Sequence, residues 1–145
     1  MYYVQDNGGI SLLADYPYIA QSQTCFADFN GPVSVNAVNH VVAKSEAQLL
    51  AALALGPVSV TVDADSTAFR NYSSGVVTGT DCGTSLDHAI VAVGYGTEDG
   101  EDYYLVRNSW GTGYGDKGYI KIGRGGEDSW GVCGIQEISV YADTN

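Results

Sequence analysis

Two short stretches of this 145-residue chain hold side-chain types that do chemistry together: Asp87-His88-Ala89, and Asn108-Ser109-Trp110-Gly111. His88, one of two histidines, supplies the side chain whose ordinary pKa lies closest to neutrality. A side-chain amide such as Asn108 placed beside it selects which ring nitrogen carries the proton. Trp110, two residues on and on the same face of an extended strand, excludes water from that contact. Alone, His88 reads as a packed or solvent-touching histidine; joined to Asn108 and Trp110 it reads as half of a nucleophile-activating site. His40 has no such partner suggested by sequence and reads as structural or exposed.

Those residues must be brought together by the elements that carry them. The run 88–96 is apolar and β-rich, 103–107 is a second such run, and 97–102 is an acidic spacer containing Asp99-Gly100. Asp-Gly between two apolar runs is a strong hairpin signal. Antiparallel partners about a turn centred at 98–100 have numbers summing to 196–199, so His88 faces the region 108–111. Gly111, Gly113 and Gly115 follow; with no strand–loop–helix unit and no P-loop lysine they read as a loop allowing close backbone approach, not a phosphate cradle.

The rest of the chain reads as one α+β domain on an antiparallel sheet or barrel. Residues 1–9 look like the last turn or two of a helix ended by Gly8. Asp15-Tyr16-Pro17-Tyr18 reads as an extended or turn segment. Turn chemistry at Asn30-Gly31-Pro32 precedes a strand over 33–38. Ser45 and Gln48 have capping-box spacing ahead of a helix over 47–55, which Gly56-Pro57 stops. Alternating valines make a strand of 58–62. A helical turn within 64–72, strands at 76–78, 119–122 and 138–141, and a long loop over 123–134 complete the pattern.

Composition sets the outer limits. A formal charge of −11 with six Lys and Arg argues against nucleic acid or an anionic membrane as partner. No run of 18 apolar residues exists, and residues 1–20 lack the regions of a signal peptide. Two histidines without suitably spaced carboxylates or thiols give no support for a zinc site, and no cofactor is indicated; Glu98-Asp99 and Glu101-Asp102 are read as a solvated turn. Three cysteines fit a secreted or vesicular protein with one disulfide and one remaining thiol.

Taken in order, Asp6-Asn7-Gly8-Gly9-Ile10, Asp15-Tyr16-Pro17-Tyr18, Gly56-Pro57-Val58-Ser59-Val60, Asp87-His88-Ala89, Val93-Gly94-Tyr95-Gly96, Asn108-Ser109-Trp110-Gly111, Trp130 and Cys133-Gly134-Ile135 resemble the C-terminal portion of papain-family cysteine peptidases of the cathepsin L-like kind. The short motifs are weak singly, and the ordered set is specific. The resemblance implies a papain-like fold, with 1–32 a remnant of the helical left-hand domain and 33–145 the right-hand β domain. It makes His88 the imidazole partner of a cysteine thiolate, Asn108 the residue that orients it, and Trp110 the shield of their hydrogen bond. It places Ala64, Leu86, Ala89 and Ile138 around the substrate's second specificity pocket, apolar throughout, with Asp87 offering its backbone. It pairs Cys82 with Cys133.

One departure is large. The family's nucleophile sits in a Cys-Gly-Ser-Cys-Trp stretch preceded by an oxyanion-hole glutamine, and these 145 residues contain neither. By the same resemblance Cys25 matches a disulfide position whose partner belongs to that segment, so it is a leftover thiol and not the nucleophile. The chain alone is therefore expected to be inactive. The implied partners are a peptide or protein substrate upon complementation, an N-terminal fragment or second copy of the chain, and cystatin-like inhibitors; the implied setting is lysosomal, vacuolar or secreted. The competing expectation is a non-catalytic, truncated or domain-swapped binding or assembly module.

Overall fold

A computed structural model describes residues 1–25, 31–79, 81–125 and 129–144; Asn30, in the expected turn before Pro32, lies outside them. The elements in order are α1 (Tyr2–Asp6), β1 (Val35–His40), α2 (Glu46–Leu53), β2 (Val58–Val62), α3 (Thr67–Arg70), β3 (His88–Glu98), β4 (Glu101–Arg107), β5 (Tyr119–Gly123), a 3-10 turn at Val132–Gly134, and β6 (Ser139–Thr144). The chain divides into two compact units, Met1–Asn39 with Ala142–Asn145, and His40–Tyr141.

In the smaller unit α1 ends as its sequence predicts. Gly8 takes positive φ, and the Gly8 and Gly9 N–H groups return to the Gln5 and Val4 carbonyls, the pair of bonds that closes a helix with a left-handed residue. Ile10 then bonds the Val33 carbonyl in an isolated bridge. That bridge engages Val33 before the strand begins, so β1 starts at Val35 instead of Val33.

The larger unit is an antiparallel sheet with strand order β6-β2-β3-β4-β5. β2 lies inside it between β6 and β3, and its alternation is real: Val58, Val60 and Val62 are fully buried while Ser59 and Thr61 are only partly so. α2 is capped by the Ser45 hydroxyl, which accepts from the Gln48 N–H at 3.3 Å, and Gln48 Oε1 accepts from the Val42 N–H at 3.1 Å. It closes at Leu53, two residues short of the expected end. Leu55 and Gly56 both bond the Ala52 carbonyl, tightening the last turn ahead of Pro57. Leu49, Ala52 and Leu53 turn into a core completed by Phe69, Ile90, Tyr104, Val106, Ile120, Ile122 and Ile135.

The β3–β4 hairpin turns at Asp99-Gly100, with φ of 51° and 85°. Positive φ at both central residues is the turn whose twist matches the strands, and glycine takes it without steric cost. Partners sum to 198 from Val91↔Arg107 and to 199 beyond a register shift between Ala92 and Gly94. The expected 76–78 strand is reduced to one parallel bridge, Val77↔Ile122, in which Val77 accepts from Gly123 and donates to Lys121.

Candidate active site

The site is built where three local structures end. His88 is the first residue of β3 and lies opposite Val62, the last residue of β2. Asn108 follows the last residue of β4 and is fastened there by its N–H donating to the Gly118 carbonyl at 2.9 Å. α3, capped by the Ser66 hydroxyl accepting from the Phe69 N–H, delivers the buried Phe69 ring.

Hydrogen-bond polarity then assigns the imidazole tautomer. Asn108 Oδ1 accepts from the Ser109 N–H at 2.7 Å, and a main-chain N–H only donates, so that atom is the oxygen. The same Oδ1 lies 2.9 Å from His88 Nε2. Nε2 must therefore carry hydrogen, and Nδ1 is the ring nitrogen left to exchange a proton.

The pair is enclosed by rings. Trp110 stacks on His88 with centroids 5.2 Å apart and planes 27° apart. Phe69 stands edge-on to His88 at 6.2 Å and to Trp110 at 5.6 Å. Tyr114 packs against Trp110 at 5.0 Å and against Phe69 at 5.9 Å. Asn108 is only 7 % exposed beneath them, while Trp110 keeps 45 % of its surface in solvent, the position of a cover over a part-buried polar contact. The Tyr114 hydroxyl donates to the Phe69 carbonyl at 2.8 Å. Burial pushes its pKa well above the usual phenol value, with the Asn108 amide acting in the opposite direction and Tyr72 adding to the rise.

The residues expected around a substrate pocket gather at the same end of β2. Ala64 donates its N–H to Asp87 Oδ1 at 2.8 Å. Ala89 faces Thr61 in register, and both the N–H and the hydroxyl of Thr61 reach the Ile138 carbonyl. Leu86 packs close to Gly134, where an added Cβ would fall 2.7 Å from its Cδ2. Ala64 is buried and Ile138 exposed. The Asp87 backbone N–H is engaged by the Val62 carbonyl at 3.1 Å, so of its two backbone groups that one is committed internally.

Cys82 and Cys133 form a disulfide, the pairing implied by resemblance. Cys25, in the smaller unit, is exposed, not in a disulfide, and borders a cavity of about 420 Å³ with Tyr3, Val4, Ile10, Leu13 and Tyr16.

Three contributors escaped the sequence reading. Phe69 and Tyr114 show only as aromatic residues in a capped turn and a glycine-rich loop. Asp63 is buried, and its carboxylate accepts from the Asp65 N–H at 3.2 Å and the Ser85 N–H at 2.9 Å, tying the end of β2 to the loop before His88. Its one legible signal is an Asp-x-Asp-Ser run after an alternating strand, the chemistry of a side chain bonding backbone two residues on.

Comparison with known proteins places the chain as a whole. The family described as "Papain family cysteine protease" matches residues 1–143. Papaya proteinase 4 of Carica papaya is 48% identical over 145 residues, covering 99% of this chain and 41% of that protein. Bromelain from Ananas comosus, solved in complex with the E64 inhibitor, superposes with a TM-score of 0.90 at 37% identity, covering 97% of this chain and 66% of that one. The proform of the ragweed pollen allergen Amb a 11, a cysteine protease, gives a TM-score of 0.92 at 36% identity, covering 99% of this chain and 44% of that one. The chain thus spans about two fifths of the length of Papaya proteinase 4. The α+β, papain-like fold expected from the motifs holds.

Proposed function

The chain belongs to the papain family of cysteine proteases, and from that premise we propose that it carries the acid–base half of a peptide-hydrolysing site whose thiolate comes from outside these 145 residues. The observation that carries this reading is the 2.9 Å contact between His88 Nε2 and Asn108 Oδ1, which leaves Nδ1 free to act. In the proposed reaction Nδ1 takes the proton of a cysteine thiol, and the resulting imidazolium holds the sulfur as thiolate. The thiolate attacks the scissile carbonyl, His88 returns the proton to the leaving amine, and a thioester remains. Water deprotonated by the same Nδ1 hydrolyses the thioester and regenerates the thiol. Asn108 holds the ring in register through both proton transfers, and Trp110 keeps water from their hydrogen bond.

Ala64, Leu86, Ala89 and Ile138 are assigned to the substrate's second specificity pocket, with a preference for an apolar or aromatic side chain, and Asp87 to its backbone contacts. Residues 1–32 are assigned to the left-hand domain and 33–145 to the right-hand domain. A vacuolar, lysosomal or secreted setting is supported by the Cys82–Cys133 bridge. The expected inhibitors are cystatin-like proteins.

Complementation tests the reading. The chain alone should cleave no peptide and take no adduct near His88 from a thiol-directed epoxide. Refolded with a segment bearing a glutamine followed by Cys-Gly-Ser-Cys-Trp, it should gain activity that the epoxide titrates one to one. Peptidase activity in the chain alone, or complemented activity that survives His88→Ala, overturns it.

A second reading, a non-catalytic assembly module, draws on the smaller unit, where Tyr3, Ile10, Leu12, Leu13, Tyr18 and Ile19 are exposed. Exposed apolar clusters of this kind mark association surfaces. Sedimentation over a range of concentrations should show self-association; a strictly monomeric 15.3 kDa species argues against it.

A further inference from the structure

Asn71-Tyr72-Ser73 is the one stretch of the sequence in which asparagine is followed, past a residue other than proline, by serine or threonine. That pattern is the acceptor for an N-linked oligosaccharide, and it is used at the surface of secreted proteins. The site described above does not absorb it. Phe69 and Tyr72 belong to the aromatic packing around His88, Trp110 and Tyr114, whereas Asn71 and Ser73 take no part in it.

The fold leaves this acceptor open. Asn71 closes α3: its N–H returns to the Thr67 carbonyl at 3.0 Å, and at φ −103° and ψ 16° its backbone departs from the helix. At about 100° of rotation per residue, Phe69 and Tyr72 share one face of the α3 end, and Asn71 falls on the side away from Phe69. Burial follows that geometry, with Phe69 and Tyr72 buried and Asn71 and Ser73 both exposed. The Tyr72 hydroxyl donates to the Gly75 carbonyl at 2.6 Å, and its ring packs against Tyr114. The middle residue of the acceptor is thereby anchored inward, and the amide and hydroxyl that flank it are left at the surface together. Among the described residues no side-chain hydrogen bond engages Asn71 or Ser73. The turn beyond is equally open, since an added Cβ at Gly75 would meet nothing within 4 Å.

We propose that Asn71 is an N-glycosylation site, with Ser73 as the hydroxyl by which the transferring enzyme recognises it. Asn71 Nδ2 bonds to the anomeric carbon of a lipid-linked oligosaccharide diphosphate. The bond from that carbon to the diphosphate oxygen breaks, the lipid diphosphate leaves, and one amide proton passes to a base of the transferase; nothing is oxidised or reduced. Because Asn71 and Phe69 lie on different sides of the α3 end, the sugar stands away from the ring that adjoins His88 and Trp110 and beside the exposed turn 73–75. Access to the transferase rests on the secreted or vacuolar setting given above; the openness of the acceptor does not.

The test delivers the full chain into the secretory pathway of a eukaryotic cell by a cleavable leader and reads the sugar directly. The chain should migrate as a heavier species that peptide N-glycosidase F returns to its bare mass. Digestion in ¹⁸O-labelled water should leave a labelled aspartate at position 71 in the peptide map. Asn71→Gln and Ser73→Ala should each abolish the heavier species, and Ser73→Thr, which keeps the hydroxyl, should retain it. A delivered wild-type chain with a bare Asn71 overturns the proposal, as does a heavier species that survives N71Q. A glycan confined to molecules whose Cys82–Cys133 bond has not formed would show that the fold excludes it, and overturns the proposal as well. A chain glycosylated in that cell but recovered bare and with reduced cysteines from its natural source would fault the secreted or vacuolar setting alone.

Discussion

Removing the Cys82–Cys133 bridge with Cys82→Ser and Cys133→Ala should cost about 4 kcal/mol. The bridge joins residues 51 apart, and closing such a loop removes about 14 cal/mol/K from the unfolded ensemble, about 4 kcal/mol at 25 °C. The replacements suit their surroundings. Cys133 is fully buried, whereas Cys82 lies beside the Ser66 hydroxyl and the Asp63 carbonyl, where a serine hydroxyl finds partners. In urea, with a slope near 2 kcal/mol/M, the midpoint should fall by about 2 M, and a thermal scan should show a drop of roughly 8–16 °C. The loss also reaches the site. Asp63 donates its N–H to the Cys133 carbonyl while its carboxylate holds Ser85, so amide exchange in residues 83–88 should quicken before the β3–β4 hairpin opens. A midpoint change below about 0.5 M at unchanged slope would refute the loop-closure reasoning. Alkylation without reduction gives an independent check, since it should label Cys25 and spare the other two.

Backbone geometry and titration give two further expectations. Gly115→Ala places a Cβ 2.3 Å from the Tyr119 carbonyl oxygen and 2.8 Å from the Tyr72 ring, at a positive φ; it should destabilise by at least about 2 kcal/mol, and a chemical-denaturation difference under 0.5 kcal/mol would show the loop yields freely. Tyr114 and Tyr72 both have pKa values raised first by burial. The unfolded chain ionises them near the ordinary value of about 10 while the folded chain does not. Their contribution is therefore fully present below pH 10 and lost as pH rises past it. Stability measured by urea between pH 9 and 11.5 should decline, with part of the decline removed by Y114F; an identical decline in Y114F would exclude Tyr114 as a source.

What the sequence determined was whatever a short window encodes. The Asp99-Gly100 turn requires two positive φ angles and sets strand partners within the expected sums of 196–199. Ser45 and Gln48 cap α2 through atoms three residues apart, and the 58–62 alternation buries Val58, Val60 and Val62. His88 and Asn108 were legible as neighbours because one hairpin carries both, and the ordered motifs placed the chain in its family.

Tertiary structure decided the rest. That β2 lies between β3 and β6 brings Ala64, Ala89 and Ile138 together, and no periodicity within any of the three segments states it. The aromatic enclosure joins Phe69, from a four-residue helix, to Trp110 and Tyr114, more than 40 positions away. A single bond from Tyr114 to the Phe69 carbonyl fixes the distance. Patterns of apolar residues and turn chemistry act through neighbours in the chain and survive in any fold that uses the segment. Which ring covers an imidazole depends on the path the whole chain takes between them.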